Sequence, residues 1–150
     1  HGALYNDMMS KSSVRDAVMQ AVSSYPTRLS FNGDSVPSLK LMLQANAYAK
    51  DHLKQAQELN LELYFEAFAD RCYEDDGSLM ARSKAGAVLD HDAMLKQVQQ
   101  LTQTGTITTA SGAALKLQVD SLCVHGDNDA GIAAIESIRK LMENPSTDQA

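Results

Sequence analysis

The sequence contains no apolar run approaching the ~18 residues that a membrane-crossing helix requires, so a helical spanning protein is not expected. It also lacks a basic start followed by an apolar stretch, the pattern of a secretory signal. Cysteine is scarce. Cys72 and Cys123 stand alone, with no CxxC spacing and no framework of half-cystines, which reads as two free thiols in a reducing, cytoplasmic setting. Positive charge is in short supply too: 13 Lys and Arg stand against 19 Asp and Glu, a net charge of −6. The basic residues are scattered, and non-specific nucleic-acid binding depends on neutralising phosphates with such residues, so that class of function is excluded. No internal repeat, low-complexity segment or linker divides the chain. What remains is an ordinary globular balance, 44% hydrophobic and 21% charged, in 150 residues, enough for one domain with a core.

Strand and helix patterns alternate along the chain. Asp7 to Ser24 carries a helical stripe of Val14, Ala17, Val18, Ala21 and Val22, stopped by Tyr25-Pro26. Arg28 to Asn32 reads as a short strand ending at Gly33. A long helix is expected from about Pro37, using Leu39, Met42, Leu43, Ala47, Ala49, Leu53 and Ala56. Leu61 to Ala69 (LELYFEAFA) reads as a buried strand, and the polar stretch Asp70 to Ser83, with its Asp75-Asp76-Gly77 turn, as a loop. Asp90 can cap a helix bearing Met94, Val98 and Leu101 that ends at Gly105. Short strands follow at Thr106 to Thr109 and Leu115 to Val119, separated by a Ser111-Gly112 turn, and a core strand at Ser121 to Val124. The last helix, about Ala130 to Glu143, puts Ile132, Ile135, Ile138, Leu141 and Met142 on one side, and Pro145 with the tail STDQA ends the ordered part. Such alternation implies an α/β fold with a parallel sheet.

In parallel α/β folds, sites form where strands end. Three polar clusters occupy such places: His1-Gly2-Ala3-Leu4-Tyr5-Asn6 around a small-residue turn before the first helix; Glu66, Asp70, Arg71 and Arg82 after the LELYFEAFA strand; and Asp120 with His125-Gly126-Asp127-Asn128 around SLCV. Each has a plainer reading. His1 could be a loose terminus, Asp70 and Arg71 a surface ion pair worth under ~1 kcal/mol, and Asp127 or Asn128 a helix cap. Glu66 is the stronger candidate, because a carboxylate inside so apolar a strand costs free energy unless paired or used. His52 reads as part of a solvated helix face. Asp90-His91-Asp92 reads as capping, since consecutive residues do not converge on one ion, and the methionines read as packing.

These segments resemble the LamB/YcsF family. HGALYN is similar to the family's KPHGALYN, FEAFADRCYEDDGSLMARSKAGAVL to its EVFADRxYxxDGxLxPRxxPGAVI, and DSLCVHGDN to its DSICVHGD, in the same order. Ala81, Ala85 and Asp129 stand where the family commonly has proline, which alters turns rather than charges. The helix containing KDHLKQAQELN looks extended, as surface structure. The resemblance implies the C-terminal part of an irregular seven-stranded β/α barrel of the glycoside hydrolase/deacetylase type, with residues 1–144 in the domain and 145–150 a disordered tail. It further implies upstream strands carrying DLNxDxGE, CGFHxGD and GAHPxxPD, so that these residues alone are expected not to complete the site.

The activity it implies is that of 5-oxoprolinase, the ATP-dependent hydrolytic opening of 5-oxo-L-proline to L-glutamate, carried out together with subunits B and C. By that resemblance Glu66, His125 and Asp127 are catalytic candidates. His1, Asn6, Asp70, Arg71 and Arg82 are candidates for substrate binding, and ATP and a divalent metal, with His1 as a candidate ligand, are the implied cofactors. Two other classes stay open: a metal-dependent, deacetylase-like hydrolase of carbohydrate or lactam substrates, and a non-catalytic partner-binding module.

Overall fold

The computed structural model describes residues 2–25, 39–127 and 129–143. His1, Asn128, the strand expected over Arg28 to Asn32 and the tail from 144 onward lie outside them. The chain divides into two compact units, His1–Gln44 with Tyr48–Phe65, and Ala45–Ala47 with Glu66–Ala150.

In the first unit the expected opening helix is two, α1 (Ala3–Ser10) and α2 (Ser12–Ser23). The break is at Lys11, whose extended backbone (φ −127°, ψ 108°) serves as C-cap of one and N-cap of the other. The HGALYN segment therefore enters a helix rather than forming a turn before one. Met8 and Met19 are the buried residues of the two helices, the packing role expected of them.

The long helix expected from Pro37 is corrected by the structure to a strand, β1 (Lys40–Gln44), followed by a shorter helix, α3 (Ala49–Glu58). A short apolar run such as LKLML satisfies strand and helix patterns alike. Pairing beside β2 (Glu62–Phe68) settles it as strand. Lys40 Nζ ties the pair together, donating to Glu62 at 2.7 Å and to the Tyr64 hydroxyl at 2.8 Å. A second correction concerns His52, which is 4% exposed and sits with Ala49 and Ala56 on the buried face of α3. The segment taken for surface structure is thus amphipathic, and Gln55 of α3 donates to Asp16 of α2 at 2.7 Å.

The second unit is built on the far half of β2, which pairs in parallel with β5 (Ser121–Cys123) in the register Glu66↔Ser121, Ala67↔Leu122 and Phe68↔Cys123. The sheet order is β1-β2-β5. One side of this unit is filled by α4 (His91–Thr104) and α5 (Asp129–Glu143), whose Met94, Val98, Ala134 and Ile138 form a core with Ala69. Asp90 caps α4 as expected, its carboxylate accepting from the Ala93 N–H at 2.9 Å, and Gly105 closes it at φ +67°. β3 (Thr106–Thr108) and β4 (Ala114–Lys116) form an antiparallel hairpin around the Ser111-Gly112 turn.

For α5 the expected face is rotated. Gly131, Ala134 and Ile138 are buried, whereas Ile132, Ile135 and Met142 remain about half exposed. Ile138 and the partly buried Leu141 of the expected face meet the core together with Gly131 and Ala134, and Ile132 and Ile135 fall on the neighbouring stripe. No helix among the described residues is long and apolar enough to cross a membrane.

Candidate functional site

Because β2 and β5 are parallel, the chain leaves both strands at the same edge of the sheet. Two residues past the last paired positions, Phe68 and Cys123, come Asp70 and His125. His125 Nδ1 lies 2.9 and 3.0 Å from the two carboxylate oxygens of Asp70. Asp70 is 1% exposed and the His125 side chain 18% exposed, so a buried carboxylate meets an imidazole that reaches solvent. The Phe68 ring stacks against the imidazole at 5.6 Å and 16°. A carboxylate accepting from Nδ1–H fixes the ring's tautomer and orientation and makes Nε2 the basic nitrogen. Asp70 and Arg71 are therefore no surface ion pair, since both are buried.

Alternation along β2 puts Glu66 on the same face as Phe68, whose ring stacks on His125. Glu66 is 8% exposed. Burial, together with the negative charges of Glu66 and Asp70, pushes the Cys123 thiol up to about 11. A thiol so held is a poor nucleophile at neutral pH. Both cysteines are free.

Farther out, Arg82 Nη1 donates to Asp127 Oδ2 at 3.1 Å, with side chains 48% and 64% exposed. The Arg82 hydrogen bond holds the Asp127 carboxyl below its ordinary range. A pair so open to water contributes little to stability and can be exchanged for another anion. Arg71 is committed differently. Its Nε donates to the Ala87 carbonyl at 3.2 Å and its Nη2 to the Met80 carbonyl at 2.6 Å, clamping the loop between β2 and α4. Burial, and then the positive charge of Arg82, lower its affinity for the proton.

Tyr73, which sequence reasoning passed over, is fully buried in that loop, and its hydroxyl accepts from the Phe68 N–H at 2.7 Å. Burial drives its ionisation upward. Only a buried aromatic inside an otherwise polar loop could have signalled it. The loop is further held to the β3–β4 hairpin, where Asp75 accepts from Thr109 and, at 2.7 Å, from Ser111.

The structure thus brings Glu66, Asp70, Arg71, Arg82, His125 and Asp127 into one unit and couples two of the expected clusters. Asn6 lies on the exposed side of α1 in the other unit, and His1 is outside the described residues. Among the described residues no three His, Cys, Asp or Glu side chains are placed to hold a metal ion, so this donor set does not compose a metal centre. His91 pairs with Asp92 at 3.1 Å beside the capping Asp90, apart from the site's bonds.

The sequence matches the LamB/YcsF family over residues 1–150. It is 43% identical over 143 residues to the A component of 5-oxoprolinase from Vibrio campbellii, covering 95% of this chain and 52% of that protein. To the A component of 5-oxoprolinase from Pseudomonas fluorescens Pf-5 it is 39% identical over 148 residues, covering 97% and 55%. The chain spans about half the length of these relatives. In structure it resembles a lactam utilization protein from Thermus thermophilus, with a TM-score of 0.70 at 23% identity over 95% of this chain and 52% of that one. This likeness supports the mixed α/β fold with its parallel sheet.

Proposed function

The chain belongs to the LamB/YcsF family, and from that premise we propose that the protein it represents is a 5-oxoprolinase component, opening 5-oxo-L-proline to L-glutamate in an ATP-dependent reaction with subunits B and C. The single observation that carries the reading is the Asp70–His125 pair at the shared edge of two parallel strands. Residues 1–144 are read as part of one LamB/YcsF barrel domain, and the two free thiols fit a cytoplasmic protein.

A five-membered lactam is an unstrained, resonance-stabilised amide, and ATP supplies activation of its carbonyl oxygen. The chain's own residues act on the rest. His125 Nε2 takes the proton of the attacking water, Asp70 orienting the ring and stabilising the imidazolium that forms. Water oxygen bonds to the carbonyl carbon, the ring C–N bond breaks, and the proton held by His125 passes to the departing nitrogen. A second water then cleaves the acyl phosphate left by ATP activation, releasing inorganic phosphate and the new carboxylate. Glu66, on the same face, orients the water. Arg82 exchanges Asp127 for the substrate carboxylate, an anion a guanidinium can take in bidentate fashion, while Asp127 stays within reach to restore the resting pair. Arg71 holds the loop that delivers Arg82.

The test is glutamate formation by the assembly with subunits B and C. Turnover should require ATP, and Glu66→Gln should abolish it while the protein stays folded. ATP-independent hydrolysis of acetylated sugars would favour a deacetylase-like enzyme instead. Tight assembly without turnover would favour a binding module.

A further inference from the structure

The chemistry above leaves unused a half-buried polar side chain beside the core residues of α4. Gln97 sits between the buried residues Met94 and Val98. Its Nε2 lies 2.9 Å from the carbonyl oxygen of Phe68, 3.2 Å from that of Ala69 and 3.0 Å from that of Arg71. All three partners are acceptors, so the amide must present its NH2 to them, and its two hydrogens are shared among three carbonyls. These carbonyls bracket Asp70 on both sides. The fourth in the series, that of Asp70 itself, accepts from Leu89 N–H at 2.9 Å. The paired register of β2 with β5 ends at Phe68, and the Ala69 N–H still donates to the Cys123 carbonyl at 2.9 Å. One side-chain amide thus ties three carbonyls of the segment carrying the carboxylate.

We propose that Gln97 is a positioning residue, whose amide fixes the backbone of residues 68–71 and thereby sets the Asp70 carboxylate against His125 Nδ1. Aspartate's side chain is short, so displacement of its Cα moves the carboxylate almost equally. A bond of 2.9 Å to an imidazole tolerates little such movement. The functional weight of this inference rests on reading Asp70 and His125 as the working pair; its structural content does not.

The experiment uses the full chain labelled with 15N at histidine, a residue present only four times, with His125→Gln assigning the signal. The native His125 signal should report the Nδ1–H tautomer, and Asp70→Asn serves as the reference for its disturbance. Gln97→Glu keeps the shape but turns oxygens toward three carbonyls. Gln97→Met keeps the volume and removes both donors. In either folded variant the Nε2–H tautomer should appear, as in Asp70→Asn, whereas Asp90→Ala, which weakens α4 elsewhere, should leave the native tautomer in place. Retention of the native tautomer in a folded Gln97 variant, with Asp70→Asn disturbed, overturns the inference. In the assembled enzyme the Gln97 variants should lower kcat with KM little changed. Should Asp70→Asn turn over normally while the tautomer still responds to Gln97, the catalytic reading falls and the positioning inference stands.

Discussion

At the scale of single residues, burial decides what each side chain can do. Cys123 is held up to about 11 by burial and by two neighbouring carboxylates, so at pH 7.5 its alkylation by iodoacetamide should be far slower than that of a free thiol of ordinary pKa. Mass spectrometry of the folded protein checks this, and rapid modification of Cys123 would contradict it. Tyr73→Phe removes the acceptor used by the Phe68 N–H inside a fully buried site. A loss of about 1–3 kcal/mol in urea unfolding is expected, with no change in the far-UV spectrum. Glu66 was legible in the sequence because a carboxylate in an apolar strand is conspicuous. The Asp70–His125 pair was not, since it depends on the register of β2 against β5, residues 55 positions apart. Asp70 therefore looked like a pocket residue or half of a surface pair, when its bond is to His125.

At the scale of elements, strong local signals held and ambiguous ones yielded to packing. Asp90 and Gly105 bound α4 where the sequence put them, because cap chemistry is local. Replacing Asp90 by Ala should cost about 1 kcal/mol, read as a lower urea midpoint with an unchanged slope. Gly77 is a more severe case. Its backbone stands at φ +81°, and a Cβ there would come within 2.8 Å of the Asn46 Cα, a backbone atom that cannot swing aside. Gly77→Ala should therefore lose more than the ~1 kcal/mol that left-handed geometry alone costs, measured in the same way. The LKLML run and α5 show the opposite situation. LKLML fits either period, and only its neighbour β2 makes it a strand. In α5 two adjacent stripes are apolar, and the one carrying Gly131, Ala134 and Ile138 is buried.

For the whole molecule, the α/β class, the parallel pairing and the family were legible, because three motifs in order carry more information than any one. The two-unit division was not, since no composition shift marks it. The fold also sets a dependence of stability on pH. Burial, reinforced by the positive charge of Arg15, lowers the affinity of His52 for its proton below the ordinary 6.5. The unfolded chain then binds the proton more readily, so this contribution is complete above pH 6.5 and is lost as pH falls toward the folded value. Asp75, Asp76 and Asp127 are held below 3.8 by hydrogen bonds, adding a second decline below that pH. Urea midpoints should fall between pH 7 and pH 5, and His52→Gln should flatten that interval while leaving the acid decline. An unchanged profile in His52→Gln would contradict the assignment.

The central claim is that His125, oriented by Asp70, carries the proton in lactam opening. Its most direct test is the rate of glutamate formation from 5-oxo-L-proline and ATP by the assembly with subunits B and C, comparing the native chain with His125→Gln. The account predicts that the variant folds, assembles and loses about 10²–10⁴-fold in rate. A folded, assembled His125→Gln enzyme that makes glutamate at the native rate would contradict it.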